Sequence, residues 1–99
     1  MLDFYLIRGE QSTPEDPEEM GLEFVGGLDL DVYDRLQQKD IIDNTYSFFS
    51  DFRWNASVID EIYKRATHER FRSDTDAHKI VGLIGQARLK NSGLFATCD

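Results

Sequence analysis

The chain has 99 residues, with 19 acidic and 11 basic side chains, and its formal net charge at pH 7 is −8. A chain of this length forms one domain, because folded domains typically hold about 100–150 residues, so a two-domain enzyme is excluded. The negative charge disfavours binding to nucleic acid or to an anionic membrane. We therefore expect a single domain over residues 1–99 that binds neither.

The first predicted elements are strands. Apolar residues fill both faces of residues 2–8, which predicts an inner strand. Residues 9–21 contain two prolines and no apolar periodicity, and they predict an exposed acidic loop. A second strand is predicted over residues 22–25, where Gly26 and Gly27 would end it in a turn.

Three helices are predicted next. The first opens at Asp29, whose carboxylate can cap the free N–H groups of the first turn, and it runs to about Lys39. The second begins after Asn55 or Ser57. The third begins at Ser73 and ends near Gly93, and a last, weaker strand follows over residues 94–97.

Two glycines within the third predicted helix need an explanation, because glycine is about 1 kcal/mol less favourable than alanine inside a helix. Gly82 and Gly85 predict a close approach by another part of the same chain. A surface for self-association would use small residues in the same way, and this alternative stays open.

An aromatic segment lies between the first and second predicted helices. Residues 46–54 contain five aromatic side chains, which can fill a core or form an interface. We expect Phe48, Phe49 and Phe52 to lie in the core. The residues expected at the surface, where they can contact a partner, are Tyr46, Arg53 and Trp54, and the alternative that Trp54 joins the core stays open.

Together these elements predict an α+β fold, in which about three helices pack on one face of a small sheet of two to four strands. The fold requires no cofactor and no metal for stability. A single cysteine, Cys98, cannot form an internal disulfide, and the chain shows neither a secretory signal nor a run of 18 apolar residues. We therefore expect a cytoplasmic protein.

The distribution of charge carries the functional prediction. Residues 1–52 hold 13 acidic and 3 basic side chains, whereas residues 53–99 hold 6 acidic and 8 basic ones. Such an asymmetry steers a protein towards a basic partner. We expect a non-enzymatic interaction module that binds a basic protein, similar to small inhibitors or immunity proteins in size and charge only. The acidic residues predicted to contact the partner are Glu15, Asp16, Glu18, Glu19, Asp31 and Asp34.

Two alternatives remain open from the sequence. A small enzyme or ligand-binding domain could use His68 or His78 with nearby carboxylates, although the spacing matches no metal or catalytic motif. A structural subunit could dimerise through the aromatic segment or the glycine-containing helix. No residue is assigned a catalytic or metal-binding role.

Overall fold

A computed structural model of the protein describes residues 1–9, 11–13 and 21–98. It contains four β-strands, three α-helices and one short 3₁₀-helix over Glu69–Phe71. In chain order the other elements are β1 (Leu2–Ile7), β2 (Phe24–Leu28), α1 (Leu30–Gln38), β3 (Phe52–Trp54), α2 (Ala56–Ala66), α3 (Thr75–Leu89) and β4 (Gly93–Cys98).

The strands form one antiparallel sheet in the order β2-β1-β4-β3. The central pair is β1 with β4, in which Leu2 lies opposite Cys98 and Ile7 lies opposite Gly93. β1 lies inside the sheet, between β2 and β4, as the sequence predicted. The predicted α+β class, with three helices on a small sheet, is confirmed.

The hydrophobic core lies between the sheet and the helices. Leu2 and Phe4 of β1 contribute to it from the sheet, and both are fully buried. Each helix adds an apolar stripe, which includes Leu36 of α1, Ile59 of α2 and Ile80 of α3. The sheet and helices of the described residues thus share one core in a single compact domain.

Three polar side chains begin the three helices. Asp29 accepts a hydrogen bond from the Val32 backbone N–H at 2.9 Å, as the sequence predicted. Asn55, one of the two predicted residues, caps α2. The predicted start of α3 at Ser73 is wrong by one residue, because the Asp74 carboxylate accepts from the backbone N–H at position 77.

Two strands differ from the prediction. β2 continues through both glycines to Leu28, so the expected turn at Gly26 and Gly27 is wrong. A Cβ atom at Gly27 would lie 2.6 Å from the Met1 Sδ and 3.0 Å from the carboxylate of Asp3 in β1. The short strand β3 was not predicted; it pairs with β4, placing Phe52 opposite Ala96.

Among the described residues, no helix has the length and apolar character needed to cross a membrane.

Candidate functional site

The outer face of α1 is acidic. Asp31 and Asp34 lie three positions apart on this helix and are both exposed, while Val32, Tyr33 and Leu36 face the core. Residues three apart are neighbours on a helix surface, so the two carboxylates lie side by side. Gln38 extends the same face and donates a hydrogen bond to the Asp34 carboxylate at 2.9 Å.

The two cations nearest along the chain, Arg35 of α1 and Lys39 directly after it, form their ion pairs with acids at the start of α3 and not with this face. Arg35 makes a bidentate contact with Asp76, at 2.7 Å through Nε and 3.1 Å through Nη2. The Lys39 Nζ lies 2.6 Å from Asp74 and 3.1 Å from Asp76. This network joins α1 to α3 and holds the positive groups on the side of the helix that faces α3.

The carboxylate of Asp76 is nearly buried, with 6% of its side chain exposed. Hydrogen bonds from Arg35 and Lys39 lower the pKa of this carboxyl to about 2, against an ordinary 3.8. The hydrogen bonds from Lys39 and from the Ala77 backbone likewise lower the pKa of Asp74. Both groups stay ionised at neutral pH, so the network keeps its full set of opposite charges.

We expect this network to make stability depend on pH. A carboxyl with a lowered folded-state pKa stabilises the fold above its unfolded pKa, and this contribution is lost as the pH falls through the folded value. For Asp76 the window runs from about pH 4 to about pH 2 and is worth about 2 kcal/mol. Urea unfolding of Asp76→Asn should show a deficit of this size at pH 7 that closes towards pH 2.

The control for that measurement is Asp60→Asn, which removes an exposed carboxylate at the surface ion pair with Arg88. Exposed ion pairs contribute about 0–1 kcal/mol, so the control should follow the unaltered protein at every pH. A constant difference between Asp76→Asn and the unaltered protein from pH 7 to pH 2 would contradict the role given to Asp76.

The segment after α1 continues the acidic surface. Asp40, Asp43 and Asp51 are all exposed. We call these three residues, together with Asp31 and Asp34, the acidic surface. In the part of the chain that the structure describes, none of the five forms an ion pair. Hydrogen bonds from Thr45, together with the nearby positive charge of Arg65, lower the pKa of Asp43, so Arg65 offsets part of the negative charge at this end of the acidic surface.

Hydrogen bonds fasten this segment to α1. The backbone oxygen of Tyr46 accepts from the Tyr33 hydroxyl at 2.7 Å and from the Gln37 side chain at 2.9 Å. Burial raises the pKa of Tyr33, so its phenol remains a donor. Phe48 then packs against the Tyr33 ring, with ring centres 5.9 Å apart. These contacts attach Tyr46 and Phe48, and with them the middle of the segment 40–51, to α1.

The structure corrects the predicted aromatic contact residues. Trp54 is fully buried, so its expected surface position is wrong: alternation along β3 turns it and Phe52 towards the core. Arg53 points to the opposite face and donates to the backbone oxygens of Arg8, Gly9 and Gln11.

Tyr46 is half-buried, and its ring contacts Trp54 and Phe52. Phe49, expected in the core, is instead 73% exposed. The exposed aromatic of this segment is therefore Phe49. Sequence reasoning missed it because adjacent Phe48 and Phe49 carry no periodic signal that separates the buried ring from the exposed one.

The other predicted contact residues divide into two groups. Asp31 and Asp34 are exposed and adjacent, as described above. The four loop acids, Glu15, Asp16, Glu18 and Glu19, lie outside the described residues. Their contribution stays a prediction.

The two histidines serve the local backbone. The His68 Nδ1 accepts from the Arg70 backbone N–H at 3.2 Å, and the His78 Nε2 lies 2.8 Å from the Arg72 oxygen. No group of three potential metal ligands occurs among the described residues. The geometry thus offers no support for a histidine-based site.

The outer face of α3 also differs from the prediction. A Cβ atom at Gly82 or at Gly85 would meet no other atom of the described chain within 4 Å, so the predicted internal close approach is wrong. Both glycines line a shallow groove between α2 and α3, and Leu89 at its rim is 90% exposed. The groove is open, and its lining combines apolar residues with polar ones such as Asp60, Gln86 and Arg88.

Comparisons with known proteins do not add to this description. The chain matches no family model, no curated protein and no solved structure. The candidate site is accordingly defined by its own geometry: five carboxylates on α1 and residues 40–51 that form no ion pair with any described residue, and one exposed phenylalanine in the same segment.

Proposed function

We propose that this protein is a non-enzymatic interaction module whose acidic surface binds a basic protein. The proposal rests on one observation: the cations nearest to the acidic surface form their ion pairs elsewhere. Arg35 and Lys39 are the two basic residues in the stretch from 29 to 51, which has six acidic ones. Arg35 binds Asp76, and Lys39 binds both Asp74 and Asp76. The carboxylates of the acidic surface are thereby left to face outward.

The physical consequence of this arrangement is a concentrated negative field. Like charges on one surface reinforce each other over a Debye length of about 8–10 Å at physiological salt, so the surface attracts a basic partner before contact. Electrostatic attraction of this kind raises the association rate more than it slows dissociation. The same field repels phosphates, which favours a protein partner over nucleic acid.

The test begins with capture of proteins from a lysate of the native host at about 0.05 M and 0.5 M salt, because salt screens exposed charges. We expect one basic protein, bound at low salt and weakened at high salt. The association rate of that purified protein is then measured with the triple variant Asp31→Asn, Asp34→Asn and Asp51→Asn. We expect its rate to fall at least about tenfold at low salt.

A matched control neutralises three acids elsewhere on the chain. Asp60→Asn, Glu61→Gln and Glu69→Gln change the net charge by the same amount at exposed positions on α2 and the 3₁₀-helix. We expect this control to keep the association rate within about twofold, since electrostatic steering acts through the local surface. Equal rates for the two triple variants would show that the acidic surface does not guide binding.

A further inference from the structure

Phe49 is unusual among the aromatic residues of its segment. Five aromatic rings occur between residues 46 and 54, all of them described by the structure, and the other four are buried or half-buried. Phe49 is 73% exposed, while the adjacent Phe48 is 8% exposed. The Phe49 ring stands edge-on to Phe48, with ring centres 5.1 Å apart, so it projects from a buried aromatic support.

Two successive turns hold Phe49 in this position. In the first turn, the Thr45 backbone N–H donates to the Asp43 carboxylate at 2.9 Å. In the second turn, the Phe49 backbone N–H donates to the Ser47 hydroxyl at 3.2 Å, and the Ser50 N–H donates to the Ser47 oxygen. Between the turns, the Tyr46 oxygen is fastened to α1 by the two hydrogen bonds described above.

An exposed aromatic ring that is already held in place can bind a partner at a lower entropic cost than a mobile one. Ordering a mobile side chain on association costs about 0.5–1.5 kcal/mol, and a ring already held in place avoids part of this cost. Aromatic residues are also the side chains that most often supply the central energy of protein interfaces. Phe49 therefore has the properties of an interface anchor.

The charges around Phe49 indicate what its partner must present. Asp51, which is exposed, follows two residues later, and the segment that carries Phe49 is attached to α1, which bears Asp31 and Asp34. An apolar ring on an acidic segment is complementary to an apolar pocket with cations at its rim. An acidic protein surface or an anionic lipid would meet like charge at the same positions.

We infer that Phe49 inserts into an apolar pocket on the basic partner, and that Arg or Lys side chains at the rim of this pocket bind the carboxylates of the acidic surface. This inference rests on the proposed function and deepens it. In this inference Phe49 supplies most of the binding energy, because an apolar anchor mainly slows dissociation of the complex. The carboxylates attract the partner, because exposed charges mainly raise the association rate.

The experiment uses the full chain in its native host with the photo-crosslinking residue p-benzoylphenylalanine at single positions. Position 49 tests the anchor, and position 38 on the outer face of α1 tests the acidic surface. Position 24 is the control, because Phe24 is also exposed, at 55%, but lies on the edge strand β2. We expect position 49 to crosslink to one protein, through a peptide that is apolar and rich in Arg or Lys.

The crosslinked protein, once purified, is then used to measure dissociation constants. Phe49→Ala should weaken binding about 30-fold or more, as expected for a central anchor, with most of the change in the dissociation rate. Phe24→Ala should change the dissociation constant by less than about twofold.

The crosslinks test the Phe49 anchor and the acidic interface separately. Crosslinking from position 38 to a basic protein, without any from position 49, would overturn the anchor and retain the acidic interface. The absence of a crosslink from both positions would overturn both. A crosslink from position 49 to a second copy of this chain, or to an acidic peptide, would also overturn the anchor.

Discussion

Trp54→Ala is expected to lower the free energy of unfolding by about 3–5 kcal/mol, the usual cost of removing a fully buried aromatic side chain. Trp54 has no exposed surface, and its ring packs against Phe4 at 5.2 Å and Phe52 at 5.3 Å between ring centres. Alanine would leave a cavity between the sheet and the aromatic segment. For a domain of this size such a loss approaches the whole stability, about 5–15 kcal/mol.

Phe49→Ala is the matched control, because it removes a large aromatic side chain five residues away from an exposed position. We expect its stability to stay within about 0.5 kcal/mol of the unaltered protein. Unfolding in urea should be followed by far-UV circular dichroism, since Trp54 is the single tryptophan and its loss removes the fluorescence signal. Equal stabilities for Trp54→Ala and Phe49→Ala would place Trp54 at the surface and return it to the candidate interface.

The contrast between these two residues shows what the sequence could and could not predict. Asp29 and the apolar stripe of α1 are local signals, and the helix begins where they indicate. A local signal was also available for Trp54, because Phe52 and Trp54 alternate with Arg53 as in a half-buried strand. This alternation covers only three residues. It was therefore weaker evidence for a buried strand than the adjacent Arg53 and Trp54 were for an interface, where both residue types are enriched.

The electrostatic arrangement of the site depends on contacts that no local pattern contains. Arg35 and Asp76 are separated by 41 positions, and Lys39 and Asp74 by 35. The sequence indicates an excess of acid in the first half, but only the packing of α1 on α3 determines which charges are neutralised. The acidic surface therefore depends on tertiary contacts, although the sequence itself indicates that its acidic residues are exposed.

Glycine positions show the same division between local and tertiary causes. The sequence predicts a close approach of the chain at Gly82 and Gly85 and a helix end near Gly93, whereas α3 already ends at Leu89. In the fold, Gly93 lies in β4 between two neighbouring strands, and a Cβ atom there would lie 2.6 Å from the Trp54 backbone oxygen and 3.3 Å from that of Ile7. Gly82 and Gly85 face open space instead.

Gly93→Ala should therefore destabilise the protein by about 3 kcal/mol, at the upper end of the usual cost of overpacking, because the obstructing atoms belong to backbone. Gly82→Ala and Gly85→Ala should each stabilise it by about 0.5–1 kcal/mol, since alanine favours the helix and restricts the unfolded chain. Urea unfolding of the three single variants, with sedimentation to record their mass, measures both effects.

Destabilisation by Gly82→Ala or Gly85→Ala in a protein that sediments as a dimer would show that α3 packs against a second copy. A loss in a monomer would instead contradict the open helix face, and an unaffected Gly93→Ala would contradict the close pairing of β4 with its neighbours.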